Sequence, residues 1–522
     1  MSFRLTYATM FNPPEILHER FDAAAARVTA GLGANHRLFI DGRDVAGSGT
    51  VSQSSPIDRD RHLGDFDTGT AADADAAMRA AHAAYPAWRA LPFTDRARTL
   101  RRVADIIEER VYDIAAALTL EVGKNRMEAL GEAQETVDFF RCYADDIESH
   151  RGYENELPND PLPGVVSRNR SVMRPYGAWA VIAPFNFPLA LAGGPVAAAL
   201  ATGNTVVVKG ATDTPWAGRW LADCIRDAGL PPGVFNYLAG SGRDVGEAIV
   251  SHPLLAGLTF TGSVGVGMSL LRQMNGGAYP RPCIAEMGGK NPCIVTRHAN
   301  LDHAAAGIVR SAFGMGGQKC SALSRLYVDT GVADALIERL VSLTEAIRIG
   351  DPCRREHWLG PVVNAQAYAN YEGYVDELRA SGATLFAGGR QLRDGDLARG
   401  YYVAPTLAEA PLAARLWRHE MFVPILLVHR VRDRDEAMRL ANDSDMGLTA
   451  GFYGAADEVP WFHEHIEAGV TYANRPQGAT TGAWPGYQPF GGWKGSGSTG
   501  KAIASFHYLS LYLREQSRTV VE

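Results

Sequence analysis

Three residues of this 522-residue chain are of types that do chemistry at a carbonyl carbon: Cys320, Glu286 and Asn186. Cys320 stands in "FGMGGQKCSALSR", behind a run of glycines and a glutamine. A thiol attacks carbonyl carbon only as thiolate, and free cysteine is mostly protonated near neutrality, so a nucleophilic Cys320 requires nearby N–H donors or positive charge. Glycines 314, 316 and 317 would let backbone and substrate approach closely, and a helix starting near Cys320 would aim its N–H groups at the thiolate. Glu286 precedes the Gly-Gly turn of "IAEMGGKNP". There a carboxylate whose pKa is raised by burial serves as a general base on water. Asn186, in "APFNFP", offers an amide N–H to a developing oxyanion. Each has a plainer alternative: a structural cysteine, a solvated glutamate, a local backbone cap.

Two further stretches are suited to a nucleotide. "FTGSVGVG" places Gly262, Gly265 and Gly267 where a strand turns into a helix, so backbone N–H groups can meet a pyrophosphate, although tight turns need glycine too. Lys209 ends the apolar run "TVVVK", within reach of ribose hydroxyls or a phosphate, or simply of solvent.

The elements that must position these groups follow from periodicity. Thr70 with Asp73 predicts a capped, Ala-rich helix running toward Pro86. Thr94 predicts the cap of a second helix reaching Gly123, with Leu100, Val103, Ile107, Val111 and Ile114 on one face, and Arg126 to Tyr143 predicts a third. From about Gly177, short apolar runs alternate with helical stretches, the sign of βαβ units on a parallel sheet. Such sheets present ligands at the C-terminal ends of their strands, which draws attention to Asn186, Lys209 to Thr212, Gly240 to Gly242, and Gly262 with Ser263. A second alternating region, from "NPCIVTRHANL" to about Asn474, predicts a second α/β unit containing Cys320.

Composition bounds the partners. The chain is 46% hydrophobic and 21% charged with a formal charge of −7, which suits a multidomain globular protein and gives no basic footprint for nucleic acid or an anionic membrane. No apolar stretch reaches the roughly 20 residues of a membrane span, and the N-terminus has no secretory pattern, so the cytoplasm is the expected location. The six cysteines lack CxxC or Cys/His spacing, so neither a disulfide framework nor a metal site is expected.

Taken in order, "PFNFP", "VVVK", "FTGS", "EMGGKNP", "GQKC", "HEMFVP" and "QPFGGWKGSG" resemble the motifs of the NAD(P)-dependent aldehyde dehydrogenases over nearly the whole chain. The resemblance implies an α/β fold: a Rossmann-type cofactor domain with N-terminal helices (1–154 and 173–287), a second α/β catalytic domain (288–474) and a β oligomerisation arm (155–172 and 500–522), hence a homodimer or larger homo-oligomer. It implies that Cys320 attacks the aldehyde to give a thiohemiacetal, with Asn186 and the Cys320 N–H as oxyanion hole. After hydride loss to NAD or NADP, Glu286 activates the water that hydrolyses the thioester. Carried over in the same way, Ile182, Ala183, Pro184 and Phe185 line the cofactor. Lys209 and Thr212 meet the adenosine ribose, Gly262 and Ser263 the pyrophosphate, Glu420 the nicotinamide ribose and Phe422 the nicotinamide side of the site. Gly242, Phe260, Met287 and Gly288 are carried over as further cofactor-binding residues. Glu286 favours hydrolysis over transfer to coenzyme A; a phosphate-dependent dehydrogenase and a noncatalytic cofactor-binding protein of the same fold are the other readings.

Around the nucleophile the chain resembles the branch that oxidises L-glutamate γ-semialdehyde. There Ser321, Gly482 and Ala483 would hold an α-carboxylate through a hydroxyl and backbone amides, and Glu135, Phe139 and Phe490 would line the substrate tunnel. The stretch between Asn474 and Thr481 is longer than in that branch, and "IASFHYL" replaces its usual ending, so another semialdehyde or a general aldehyde stays open. Where NAD-preferring members carry a glutamate three residues after the lysine, this chain has Thr212, which implies that NADP is accepted.

Overall fold

The computed structural model describes residues 3–522; residues 1 and 2 of the expected cofactor unit lie outside the described residues. Two seven-stranded sheets organise it. In the first, the strands run in space as Cys283–Glu286, Leu255–Thr261, Ala178–Ile182, Thr205–Lys209, Phe235–Leu238, Leu38–Ile40 and Arg43–Val45. The first five are mutually parallel and the last two antiparallel. After the edge pair Leu38–Ile40 and Arg43–Val45, the chain begins the parallel part in the middle at Ala178–Ile182, builds outward to Phe235–Leu238, then crosses back to Leu255–Thr261. That reversal opens a crevice between the carboxyl ends of the Ala178–Ile182 and Leu255–Thr261 strands, where such sheets bind nucleotides.

The second sheet runs Thr384–Ala387, Thr406–Glu409, Ile425–Val431, Leu323–Asp329, Asn291–Val295, Thr449–Tyr453 and Val470–Ala473, parallel except at its first pair. Its central strands are buried along most of their length, as parallel strands under helices must be, while the edge strand Thr384–Ala387 is partly exposed. A third sheet pairs Ser167–Pro175 with Glu154–Leu157 on one side and Leu513–Val521 on the other, both antiparallel.

Three helix expectations are corrected. The segment expected to be capped by Thr94 starts at Phe93 with Pro92 at the cap, because proline's fixed φ suits the entry and Thr94 then falls inside the first turn. It is two helices, Phe93–Glu109 and Val111–Val122, divided where Arg110 leaves helical geometry. The next helix, Arg126–Ser149, outlasts Tyr143 by nearly two turns because Ala144 and Ile147 keep its buried face going. The helix opened by Thr70 runs to Ala90, through Pro86. Residues 500–512, expected in the arm, instead pack into the first core: Ile503, Tyr508 and Tyr512 are buried there, and Tyr512 hydrogen-bonds Thr259 at 2.9 Å. The arm strand begins at Leu513.

Candidate active site

Cys320 lies in the turn between helix Leu301–Phe313 and strand Leu323–Asp329. No helix begins at Cys320, so the expected helical stabilisation of a thiolate is replaced by a tight turn in which the N–H groups of Cys320 itself and of Ser321 point at the sulfur. Burial and the nearby Glu420 and Glu286 outweigh them and push the resting thiol up to about 12. The glycines before it serve the turn itself. Gly316 and Gly317 have φ of 65° and 67°, and a Cβ on Gly317 would stand 2.5 Å from the Val423 carbonyl.

The turn is held from three sides. Asn291, opening the neighbouring strand, donates through Nδ2 to the carbonyls of Cys320 (2.7 Å) and Ala322 (2.8 Å). Gln318 is buried, donates to the Met315 carbonyl at 3.1 Å and accepts from the Val363 N–H at 2.9 Å. Asn186 comes from the first sheet's side and donates one amide hydrogen to the Gln318 carbonyl at 3.1 Å, leaving its second for another acceptor.

Glu286 ends the edge strand of the first sheet, opposite Thr261. It is buried, one carboxylate oxygen has no partner, and burial pushes it up to about 8 against a single opposing bond from the Gly492 N–H. Its charge is felt at Cys320. The carboxyl ends of the first sheet therefore face the amino ends of the second: Cys320, Asn291 and Thr449 precede or open their strands. The rule that parallel sheets present sites at carboxyl ends holds for the first sheet and not for the second, whose contribution is a turn aimed back across the gap.

The residues expected at a cofactor fall along the crevice of the first sheet. Ile182 to Phe185 follow the central strand, and the Ala183 N–H donates to the Lys209 carbonyl at 3.1 Å. Lys209 is buried at a strand end, which pushes its ammonium down to about 8 while Asp213 opposes the shift. Thr212 bonds the Gly240 carbonyl weakly at 3.4 Å; Gly210 lets the Tyr237 hydroxyl pass, since a Cβ would lie 2.8 Å from it. Ser263 caps helix Val264–Asn275, which points its N-terminus at the crevice. Phe260 and Met287 are buried and pack under that loop against Gly262 and Gly267, so they support it from below. Gly242 follows Ser241 into a short helical turn, and a Cβ there would meet nothing within 4 Å. Glu420 reaches over Gly288, where a Cβ would collide with its carboxylate, and accepts the Gly289 N–H at 3.0 Å; burial pushes it up to about 7. Phe422 meets Phe185 edge to face with centroids 5.7 Å apart, closing the gap between the sheets. A crevice with a helix N-terminus at one end, a lysine beside it and a carboxylate at the other fits a dinucleotide.

On the other side of Cys320 a cleft is lined by all six residues expected to meet substrate, Glu135, Phe139, Ser321, Gly482, Ala483 and Phe490. The loop bearing Gly482 and Ala483 is fixed by Thr480, which donates to the Ser321 carbonyl at 2.7 Å, and by Arg475, which donates to the Thr481 carbonyl at 3.3 Å. Gly482 has φ of 120°, and a Cβ there would strike the Arg475 guanidinium.

Sequence reasoning missed the groups that hold this frame. Lys124 and Glu132 form a fully buried ion pair, and Glu132 also accepts the Leu189 and Ala190 N–H groups at 2.8 and 3.2 Å, fixing the stretch just after Asn186. Both look like ordinary helix-surface charges in sequence. Asn291 stood inside a recognised motif but was passed over for Glu286. Tyr7, Phe11 and Arg310 also line the cleft and carried no signal.

Known proteins resemble this chain over nearly its whole length. Residues 45–517 match the model of the aldehyde dehydrogenase family. The chain is 34% identical over 514 residues to a 1-pyrroline-5-carboxylate dehydrogenase of Geobacillus sp. (strain WCH70), covering 97% of each, and 34% identical over 508 residues to that of Bacillus subtilis (strain 168), covering 96% of each. Among solved structures, 1-pyrroline-5-carboxylate dehydrogenase from Thermus with bound NAD superimposes with a TM-score of 0.92 at 34% identity, over 100% of this chain and 99% of that one. An NADP-dependent enzyme of E. coli gives 0.86 at 31%, over 93% and 98%.

Proposed function

This chain belongs to the aldehyde dehydrogenase family, and on that premise we propose that it oxidises L-glutamate γ-semialdehyde to L-glutamate with Cys320 as nucleophile, Asn186 as oxyanion donor and Glu286 as general base. The single observation supporting the substrate is the shared cleft: its lining joins to Cys320 the neutral donors Ser321 and the Gly482–Ala483 backbone and a half-buried carboxylate, Glu135. That pairing suits an amino-acid head, whose carboxylate takes N–H and O–H bonds and whose ammonium takes Glu135.

Each chain residue then has a task. The Cys320 thiol gives up its proton to solvent water, its sulfur bonds to the aldehyde carbon as the carbonyl π pair moves onto oxygen, and the new oxyanion accepts from the free Asn186 amide hydrogen and the Cys320 N–H. A dinucleotide held in the crevice would supply the acceptor for the hydride that leaves this carbon. Glu286 takes a proton from water as the water oxygen attacks the resulting thioester, and the carbon–sulfur bond breaks to return the thiol and release the carboxylate. Lys209, Ser263 and Glu420 would hold the dinucleotide. Thr212 places no negative charge where a 2′-phosphate would sit, and Lys209 can pair with one, so both NAD and NADP are assigned as substrates of the cofactor site.

Steady-state rates with L-glutamate γ-semialdehyde, propanal and succinic semialdehyde, each with NAD and NADP, test this reading. The expected preference for the amino-acid aldehyde is on the order of 10³-fold in kcat/KM, since a site built for polar groups rejects analogues that lack them. NADP is expected within roughly tenfold of NAD, because no carboxylate repels its phosphate. Equal rates on all three aldehydes would refute the substrate, and an NADP efficiency about 100-fold or more below NAD would refute the cofactor assignment.

We also assign the arm to pairing with a second copy of the chain. Leu513–Val521 and Glu154–Leu157 are both edge strands, and Leu157, Val520 and Val521 are exposed on them. Light scattering at twice the chain mass or a higher multiple is the expected result; a monomer at micromolar concentration contradicts it.

A further inference from the structure

We propose that the N-terminal segment Leu5–Phe11 is a wall of the substrate cleft and that Tyr7, acting through Glu135, is a positioning residue for the amino end of the substrate; this rests on the amino-acid semialdehyde reading above. The segment lies before residue 45, where the family match begins.

Its contacts are those of a built element. The Tyr7 hydroxyl donates to Glu135 Oε2 at 2.8 Å. Its ring meets Trp484 edge to face at 5.1 Å and sits over Gly131 of the Glu135 helix, where a Cβ would come within 2.8 Å. Arg4 pairs with Asp138 at 3.0 Å, and the same carboxylate oxygen accepts Trp484 Nε1 at 2.7 Å. The Arg310 guanidinium lies 3.7 Å from the centre of the Phe11 ring. Residues 4–11 therefore tie together three parts of the cleft: helix Arg126–Ser149, the loop after Thr481, and the helix that leads to Cys320.

What this does chemically follows from the surroundings of Glu135. Its carboxylate shares a helix with Glu132 and Asp138, and burial together with those acids pushes it up to about 8, with the Tyr7 hydroxyl and Lys124 opposing. Tyr7 itself stays protonated, because burial and Glu135 push its hydroxyl well above its ordinary value. It is thus a fixed donor that locks one carboxylate oxygen, favours the charged form, and leaves the other oxygen to accept from an ammonium.

Tyr7→Phe in the full chain tests this, because it removes the hydroxyl and keeps the ring seated on Gly131. The KM for L-glutamate γ-semialdehyde is expected to rise about tenfold, the scale of one hydrogen bond to a charged group. The kcat should change less than about twofold, and the KM for propanal should not move. A merely structural role would move both aldehydes together, and either that result or an unchanged KM for both overturns the inference. A wild-type protein with no preference for the amino-acid aldehyde refutes the underlying reading, which is seen before any variant is made, and the inference falls with it.

Discussion

Replacing Cys320 with alanine is expected to lower aldehyde oxidation by on the order of 10⁵-fold or more while leaving dinucleotide binding and folding intact. The loss is large because every covalent step is made on that sulfur, and the other five cysteines cannot substitute: Cys224 and Cys293 are buried in cores, and Cys142, Cys283 and Cys353 do not line the cleft. The fold should survive because the turn is held through its backbone. Asn291 bonds the carbonyls of residues 320 and 322, and Gln318 is anchored by residues 315 and 363, none of which needs the thiol. Rate, cofactor titration and melting temperature measured together check this. Residual activity above a few thousandths of wild type, with the fold intact, would mean that another group does the attack.

Glu286→Gln is expected to separate the two halves of the reaction. The carboxylate oxygen Oε2 has no partner and the other accepts only the Gly492 N–H, a bond that the glutamine oxygen can keep, so the change is nearly isosteric. Loss of the base should slow thioester hydrolysis on the order of 10²- to 10⁴-fold, with hydride loss altered less than roughly tenfold. Stopped-flow absorbance would then show a burst of reduced dinucleotide equal to the sites, followed by slow turnover. The pH dependence carries the same signature. A carboxyl held near 8 is protonated, and useless as a base, below that value, so wild-type turnover should climb with pH and level off above about 8. Glu286→Gln should lose that limb. A variant with full steady-state rate, or with the limb retained, removes Glu286 from the role.

The parallel sheets and the order of chemical residues were legible in the sequence because each rests on local pattern: apolar runs alternating with helical stretches, and glycines where a strand turns into a helix. What was not legible depends on tertiary burial. Lys124 and Glu132 read as solvated charges until helix Arg126–Ser149 is pressed against the Asn186 loop. Tyr7 is more than a hundred positions from Glu135 in the chain. The helix split at Arg110 and the burial of Tyr508 and Tyr512 follow from packing partners that periodicity does not name. No helix starts at Cys320, and Gly316 and Gly317, read in sequence as freedom near a nucleophile, instead shape through their positive φ the turn that aims it.

The most direct test of the account is intact-protein and peptide mass spectrometry of Glu286→Gln quenched after one turnover with L-glutamate γ-semialdehyde and NAD. A γ-glutamyl thioester is expected on the peptide carrying Cys320, absent when cofactor is omitted and absent in Cys320→Ala. Reduced dinucleotide formed at the stoichiometry of the sites with no acyl group on Cys320 would contradict it.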